Sequence, residues 1–191
     1  MSRWQPDARG RLEQAALELY TERGFDQTTV AEIAERAGLT ERTFFRHYAD
    51  KREVLFWGQG ALMELVTNHI ADATDSASPI DAVGAALQAT GKIFEGRREH
   101  ARRRQAVIAA NPGLQERELI KLASLAAAIA EGLGRRGVRE ATAKLTAETG
   151  VAVFKVAFDR WISAPTADTD LTQVIDDSLN ELKALAGGGA G

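Results

Sequence analysis

The segment from Thr28 to Tyr48, TTVAEIAERAGLTERTFFRHY, constrains the chain more than any other, because two short helices and the turn between them are written into it. Thr29 and Glu32 have the spacing of a capping box, in which a hydroxyl and a carboxylate satisfy each other's backbone N–H groups at a helix start. Behind that start, Val30, Ile33, Ala34 and Ala37 fall on one side of a helical repeat, and Gly38 ends the run. Thr40 then caps a second short helix, ERTFFRHY. The residues Ala37 to Thr40 make a turn of the length that holds two helices at a steep angle, so the segment predicts a helix-turn-helix over about residues 29 to 48.

The rest of the chain agrees with that start. With 4 Pro in 191 residues and no alternating run of β-branched residues between turns, everything reads as helix, and the fold class is all-α. A first helix is expected from about Asp7 to Arg23, with Leu12, Ala16, Leu19 and Tyr20 inward and Gly24 as its stop. Asp50 and Glu53 form another capping-box pair, and a long helix is expected from Lys51 to about Ala73, with Gly58 and Gly60 as points where it can bend. Further helices are expected at about 79–96, 98–109, 112–133, 138–163 and 170–186. Ser78-Pro79, Asn111-Pro112, Gly134 to Gly137 and Ser163 to Asp170 serve as punctuation. The division predicted is a helix-turn-helix domain over 1–57, a larger helical domain over 58–186, and a disordered tail over 187–191.

Charge limits what such a chain can do. The net charge is -3, and residues 1–57 hold 9 Lys or Arg against 10 Asp or Glu, so a DNA-binding face has to be made locally. Between Glu41 and Arg52 it is: Arg42, Arg46, Lys51 and Arg52 stand against Glu41 and Asp50. In a helix-turn-helix the second helix enters the major groove by its N-terminal half, here Thr40, Glu41, Arg42 and Thr43. Arg42 can pair with a guanine edge, Thr43 can offer a hydroxyl or a methyl, and Glu41 can accept from cytosine or complement the helix dipole. Arg46 and His47 lie one turn on, within reach of bases or phosphates, and Lys51 at a helix start suits a phosphate.

Other chemistries lack their residues. Cys is absent, which removes disulfides and thiolate metal sites, and His69 and His100 have no ligand spacing, so neither metal nor cofactor is expected. A phosphate-cradling Gly loop, an HExxH helix and a GxSxG elbow are missing, so an enzyme is the weakest reading. A helical adaptor that binds a protein partner stands as the alternative to a DNA reader. The opening MSRWQPDARGR lacks a signal-like apolar stretch and no later segment is apolar enough to span a membrane, so a cytoplasmic location is expected.

The ordered residues Gly24-Phe25, Thr28-Thr29-Val30, Ile33-Ala34, Ala37-Gly38-Leu39-Thr40, Thr43, His47-Tyr48 and Lys51 resemble the TetR family of bacterial repressors over about residues 9–57. The resemblance implies an N-terminal three-helix DNA-binding domain, then a larger helical domain that binds a small-molecule effector and forms a homodimer through its last two helices. It also implies Thr29 and Lys51 as phosphate contacts and Phe44 and Tyr48 as packing residues. One position departs from the pattern: Phe45 stands where the family usually has a Tyr whose hydroxyl touches a phosphate, so only ring packing against the backbone remains.

In the second domain VAVFKVAFDRWI is apolar almost all round, so burial is expected on two sides, with Phe154, Phe158 and Trp161 divided between core and dimer interface. Leu171, Val174, Ile175, Leu179 and Leu182 give the last helix a matching edge. Trp57, Met63, His69, Phe94 and Trp161 are the expected lining of a pocket for a mainly apolar effector. The run RREHARRRQ, Arg97 to Gln105, reads either as a solvated helix face or as the mouth for an anionic ligand such as an acyl-coenzyme A thioester. NPGLQERELIKLASLAAAIAEGL resembles an actinobacterial branch of the family that includes regulators responsive to acyl-coenzyme A.

Overall fold

The computed structural model describes residues 7–165 and 169–187, and among these the regular structure is entirely helical. The helices are α1 (Ala8–Arg23), α2 (Val30–Arg36), α3 (Glu41–His47), α4 (Gln59–Asp72), α5 (Pro79–Phe94), α6 (Arg98–Ala109), α7 (Pro112–Arg135), α8 (Glu140–Ser163) and α9 (Leu171–Ala186). Apart from Gly187, the tail expected to be disordered lies outside the described residues.

Side-chain caps set most of these starts. Asp7 accepts from the Gly10 N–H, Thr40 from Thr43, Ser78 from Asp81 just ahead of Pro79, and Asp170 from Thr172. At α2 the capping box is complete in both directions. Gly38, with φ of 64°, makes the left-handed turn between α2 and α3, and a Cβ there would also lie 2.9 Å from the Arg11 guanidinium.

The expected long helix from Lys51 to Ala73 is broken. Asp50 does cap, accepting from the N–H groups of Arg52 and Glu53, but the chain then makes a short 3-10 turn over Glu53–Phe56 and a further turn at Trp57 and Gly58 before α4 begins. Val54, Leu55 and Phe56 are all buried, and three consecutive side chains cannot share one face of an α-helix. The Leu55 carbonyl accepts from the Arg104 guanidinium at 2.7 Å, a tertiary bond in place of a helical one.

The described chain forms two compact units. The first joins the residues up to Trp57 with Arg103–Glu118, and the second joins Gly58–Arg102 with the residues from Leu119 on. The first unit gains its later segment because Val107, Ile108 and Leu114 bury themselves with Leu12, Leu19, Ile33, Phe44 and Phe56 in its core. Polar bonds back this packing: Arg104 lies 5.0 Å from the Phe56 ring centroid, and the Arg117 Nε donates to Glu53 at 2.6 Å.

In the second unit α5 packs against α4, α8 and α9 over Val83, Leu87, Val151, Phe154, Ile175 and Leu179. Close approach depends on glycines: a Cβ on Gly91 would meet the Thr172 hydroxyl, and one on Gly150 would meet Val83. Within the single chain, Phe154 and Trp161 are buried and Phe158 is half-buried. Phe154, Phe158 and Trp161 all turn into the core with Phe94, whose ring lies 5.5 Å from Phe158 and 5.9 Å from Trp161. The large apolar residues that α8 leaves outside are Leu145 and Val156, 70% and 47% exposed.

Candidate DNA-binding site

Helix α3 is held by its inner face and leaves a single face open. Phe44 is fully buried and Tyr48 nearly so, and Phe44 meets the rings of Phe45 and Tyr48 at 5.5 Å. Glu41, Arg42, Phe45 and Arg46 are exposed, and their spacing places them within one arc of the helix. Phe45 is 55% exposed, a large ring that faces solvent and touches the core only through its edge-on contact with Phe44.

Thr43 and His47 sit on the flank of that arc, half-buried. The Thr43 hydroxyl pairs with that of Thr40 at 3.1 Å, and the Thr40 hydroxyl also caps α3, so both are engaged at the helix start. His47 Nδ1 accepts from the Arg9 guanidinium at 3.4 Å, while its Nε2 has no hydrogen-bond partner. Burial, then the charges of Arg46 and Arg9, hold the His47 imidazole below its ordinary pKa. Desolvation also pushes the Tyr48 hydroxyl up to about 12, and that hydroxyl reaches the Arg9 carbonyl at 3.5 Å.

The other DNA-facing expectations meet internal partners. Thr29 is exposed, and its hydroxyl and N–H both lie 2.8 Å from the Glu32 carboxylate, which these bonds hold below the usual carboxylate range. Arg52 is paired with Asp50 at 2.7 Å. Lys51 Nζ donates to the carbonyls of Phe25 and Thr28, at 2.9 Å each. Of the four cations counted along the sequence, Arg52 is paired with a carboxylate and Lys51 is bonded to neutral carbonyls that leave its charge in place, while Arg42 and Arg46 stand exposed on α3.

The expected effector-pocket residues are scattered. The second unit contains a cavity of about 920 Å³ between the end of α5, the start of α6, the end of α8 and the start of α9; Phe94 and Trp161 line it. Met63 packs against the core of the same unit, His69 is exposed on α4 and bonded to the Leu65 carbonyl, and Trp57 belongs to the first unit, where its indole N–H donates to Glu13 at 2.6 Å. Sequence reasoning did not find Leu171 and Thr172, which also line the cavity, because nothing local shows that the start of α9 meets the end of α5. The arginine run divides by destination. Arg98 and Arg102 border the cavity and donate to the carbonyls of Ala164 and Ile162 at the end of α8, whereas Arg104 is built into the first unit. Lys92, Arg98 and Arg102 are matched around the cavity by Glu95, Glu99 and Asp170.

Fold and site together define a helix-turn-helix transcriptional regulator, and comparison with known proteins specifies the kind. Residues 13–56 match the model of bacterial regulatory proteins of the tetR family, and residues 77–186 match that of the MftR C-terminal domain. The MftR protein of Mycobacterium tuberculosis, named as a candidate transcriptional regulator of mycofactocin biosynthesis, is 30% identical over 79% of this chain and 78% of its own. Among solved structures, the complex of SmeT with triclosan has a TM-score of 0.65 at 20% identity, covering 93% of this chain and 90% of that one. Thermus thermophilus FadR, a TetR-family repressor in complex with lauroyl-CoA, has a TM-score of 0.55 at 23% identity, covering 96% and 95%. The chain belongs to the TetR family of bacterial transcriptional regulators. Its relatives are regulators rather than enzymes, and among the described residues no helix is long and apolar enough to cross a membrane.

Proposed function

We propose that the protein is a ligand-responsive repressor that binds a pseudo-palindromic operator as a homodimer in the cytoplasm and is released by a small, mainly apolar effector. The observation that carries the reading is the open face of α3, where Arg42, Phe45 and Arg46 are exposed on a helix whose opposite face is buried. Arg42 reads a base edge in the major groove, Arg46 holds a base or phosphate one turn later, and Phe45 packs on the sugar-phosphate backbone. Glu41 and Thr43 bound the same surface, Thr40 and Thr29 hold the two helix starts that face the duplex, and His47 lies at its edge.

Dimerisation has its own support. Leu145 and Val156 lie three turns apart on the outward side of α8, with the exposed Ala152 between them, and Leu185 of α9 is 77% exposed. Two copies related by a two-fold axis place two α3 helices in successive major grooves, about 34–36 Å apart. For the effector, the cavity offers the faces of Phe94 and Trp161 within a lining whose charges balance, which suits an apolar body better than a strongly anionic one. Lauroyl-CoA and triclosan, the ligands in two related structures, fit an effector of this broad kind. Release needs only that the effector bind the DNA-free state more tightly than the DNA-bound state.

The test is a footprint of the purified full chain on the DNA upstream of its own gene. Salt-dependent protection of a two-fold symmetric site supports the reading. Absence of any preferred duplex at low salt, without ligand, refutes it and leaves the protein-binding adaptor.

A further inference from the structure

The turn between α2 and α3 is tied to α1 by one side chain. Within the turn the N–H groups close back on α2, Gly38 donating to the Glu35 carbonyl and Leu39 to that of Ala34, at 2.8 Å each. The carbonyls of Ala37 and Gly38 lie beyond these bonds, at a helix end where acceptors outnumber local donors. Arg11 of α1 serves both: its Nη2 donates to the Ala37 carbonyl and, at 3.3 Å, to that of Gly38. Room for the guanidinium depends on Gly38, where a Cβ would lie 2.9 Å from Nη2. Ala15, one turn on from Arg11, and Ala37 are both buried in the core of this unit, so small side chains let α1 and the turn approach. The far end of α3 is also held from the first turn of α1. There the Arg9 Nε donates to His47 Nδ1 at 3.4 Å, and the Arg9 carbonyl accepts from the Tyr48 hydroxyl at 3.5 Å. Two residues apart on a helix, Arg9 and Arg11 point to different sides of α1, and each meets a different end of α3.

We propose that Arg11 is a positioning residue that sets the angle at which α3 meets the duplex. Gly38 stands two residues before Thr40, the cap of α3, so a bond that fixes the Gly38 carbonyl fixes the direction in which α3 leaves the turn. Paired contacts to base edges are directional, whereas attraction to phosphates tolerates a change of angle. Loosening the turn therefore costs preference for the right duplex before it costs grip on DNA of any sequence. The functional part of this inference rests on the DNA-binding reading above, and the clamp itself does not.

The test compares two duplexes of one length on the full chain, one selected by the wild type from a randomised pool and the other scrambled. Affinities are read by fluorescence anisotropy at one salt concentration, well below Tm. Arg11→Met, similar in reach but without donors, is expected to lower the ratio of the two affinities about tenfold, within the range of one paired base contact. Affinity for the scrambled duplex is expected to change by less than about threefold, and Tm to fall by about 3 °C or more. Equal losses on both duplexes mark a charge that acts on DNA directly and overturn the proposal, as does an unchanged ratio or an unchanged Tm. Should Arg11→Met fail to fold, Gly38→Asn decides. Asn tolerates the left-handed turn while its Cβ displaces the guanidinium, so the same fall in the ratio is expected, and an unchanged ratio overturns the proposal. If the wild type prefers no duplex, the DNA reading fails and the positioning role with it, while the Tm of Arg11→Met still decides the clamp.

Discussion

On the proposed DNA-binding face, Phe45 is the position where one atom is expected to change the grip most. It is the most exposed aromatic side chain of the recognition helix and lacks the hydroxyl that the family usually places there. Phe45→Tyr adds one donor at a solvent-facing ring, and a hydrogen bond to a charged group is worth about 1.5–3 kcal/mol. Affinity is expected to rise about tenfold or more across all duplexes alike, as read by fluorescence anisotropy, while Arg42→Ala shifts the preference at particular base positions. Uniform losses for Arg42→Ala contradict its role.

His47 sets a pH dependence at the same scale. Its folded pKa lies below the ordinary value, so the unfolded chain takes up the proton first as pH falls through about 6.5. Stability is therefore complete above that pH and declines below it. Asp50 and Glu32, held low by bonds to Arg52 and Thr29, lose their contributions only as pH falls below about 4. Tm is expected to drop between pH 7 and pH 5.5, and His47→Gln to flatten that drop; an identical profile in the variant contradicts the assignment. These residue roles were only partly legible in the sequence. Caps and exposed positions on α3 come from local spacing, but the internal partners of Lys51 and Arg52 do not. Counting charges along a segment treats every cation as free, whereas the fold commits two of the four.

At the scale of elements, caps and glycines made most helix ends readable, from Asp7 before α1 to Asp170 before α9. The break at residues 51–58 was not readable, since Asp50 does cap and only tertiary packing ends the turn. Burial of Val54, Leu55 and Phe56 and the bond from Arg104 come from residues about fifty positions away, beyond any local pattern. The same limit hid the contact of α5 with α9. At Gly91 a Cβ would collide with the Thr172 hydroxyl and lie 3.0 Å from the Thr172 backbone nitrogen. Gly91→Ala gains helix propensity but forces backbone apart, and overpacking of this kind costs about 1–3 kcal/mol. A lowered Tm is expected in thermal melts, and a raised Tm shows that the two helices can separate freely.

For the whole molecule, the all-α class and the DNA-binding segment were legible in the sequence, because both rest on local periodicity and caps. Val107, Ile108 and Leu114 join the first unit from a distant part of the chain, which no local pattern announces. The proposed dimerisation belongs to this scale. Val156→Asp combined with Leu145→Asp is expected to give monomers in sedimentation while the far-ultraviolet helix signal persists, because both positions are exposed in the single chain. An unchanged dimer moves the interface elsewhere.

Under the proposed function, two copies of the open α3 face read DNA together. Selection of duplexes from a randomised pool by the full chain tests it most directly. The pool is expected to converge on a two-fold symmetric consensus whose preferred bases change when Arg42→Ala replaces the wild type. A pool that does not converge, or one that converges identically for both proteins, contradicts it.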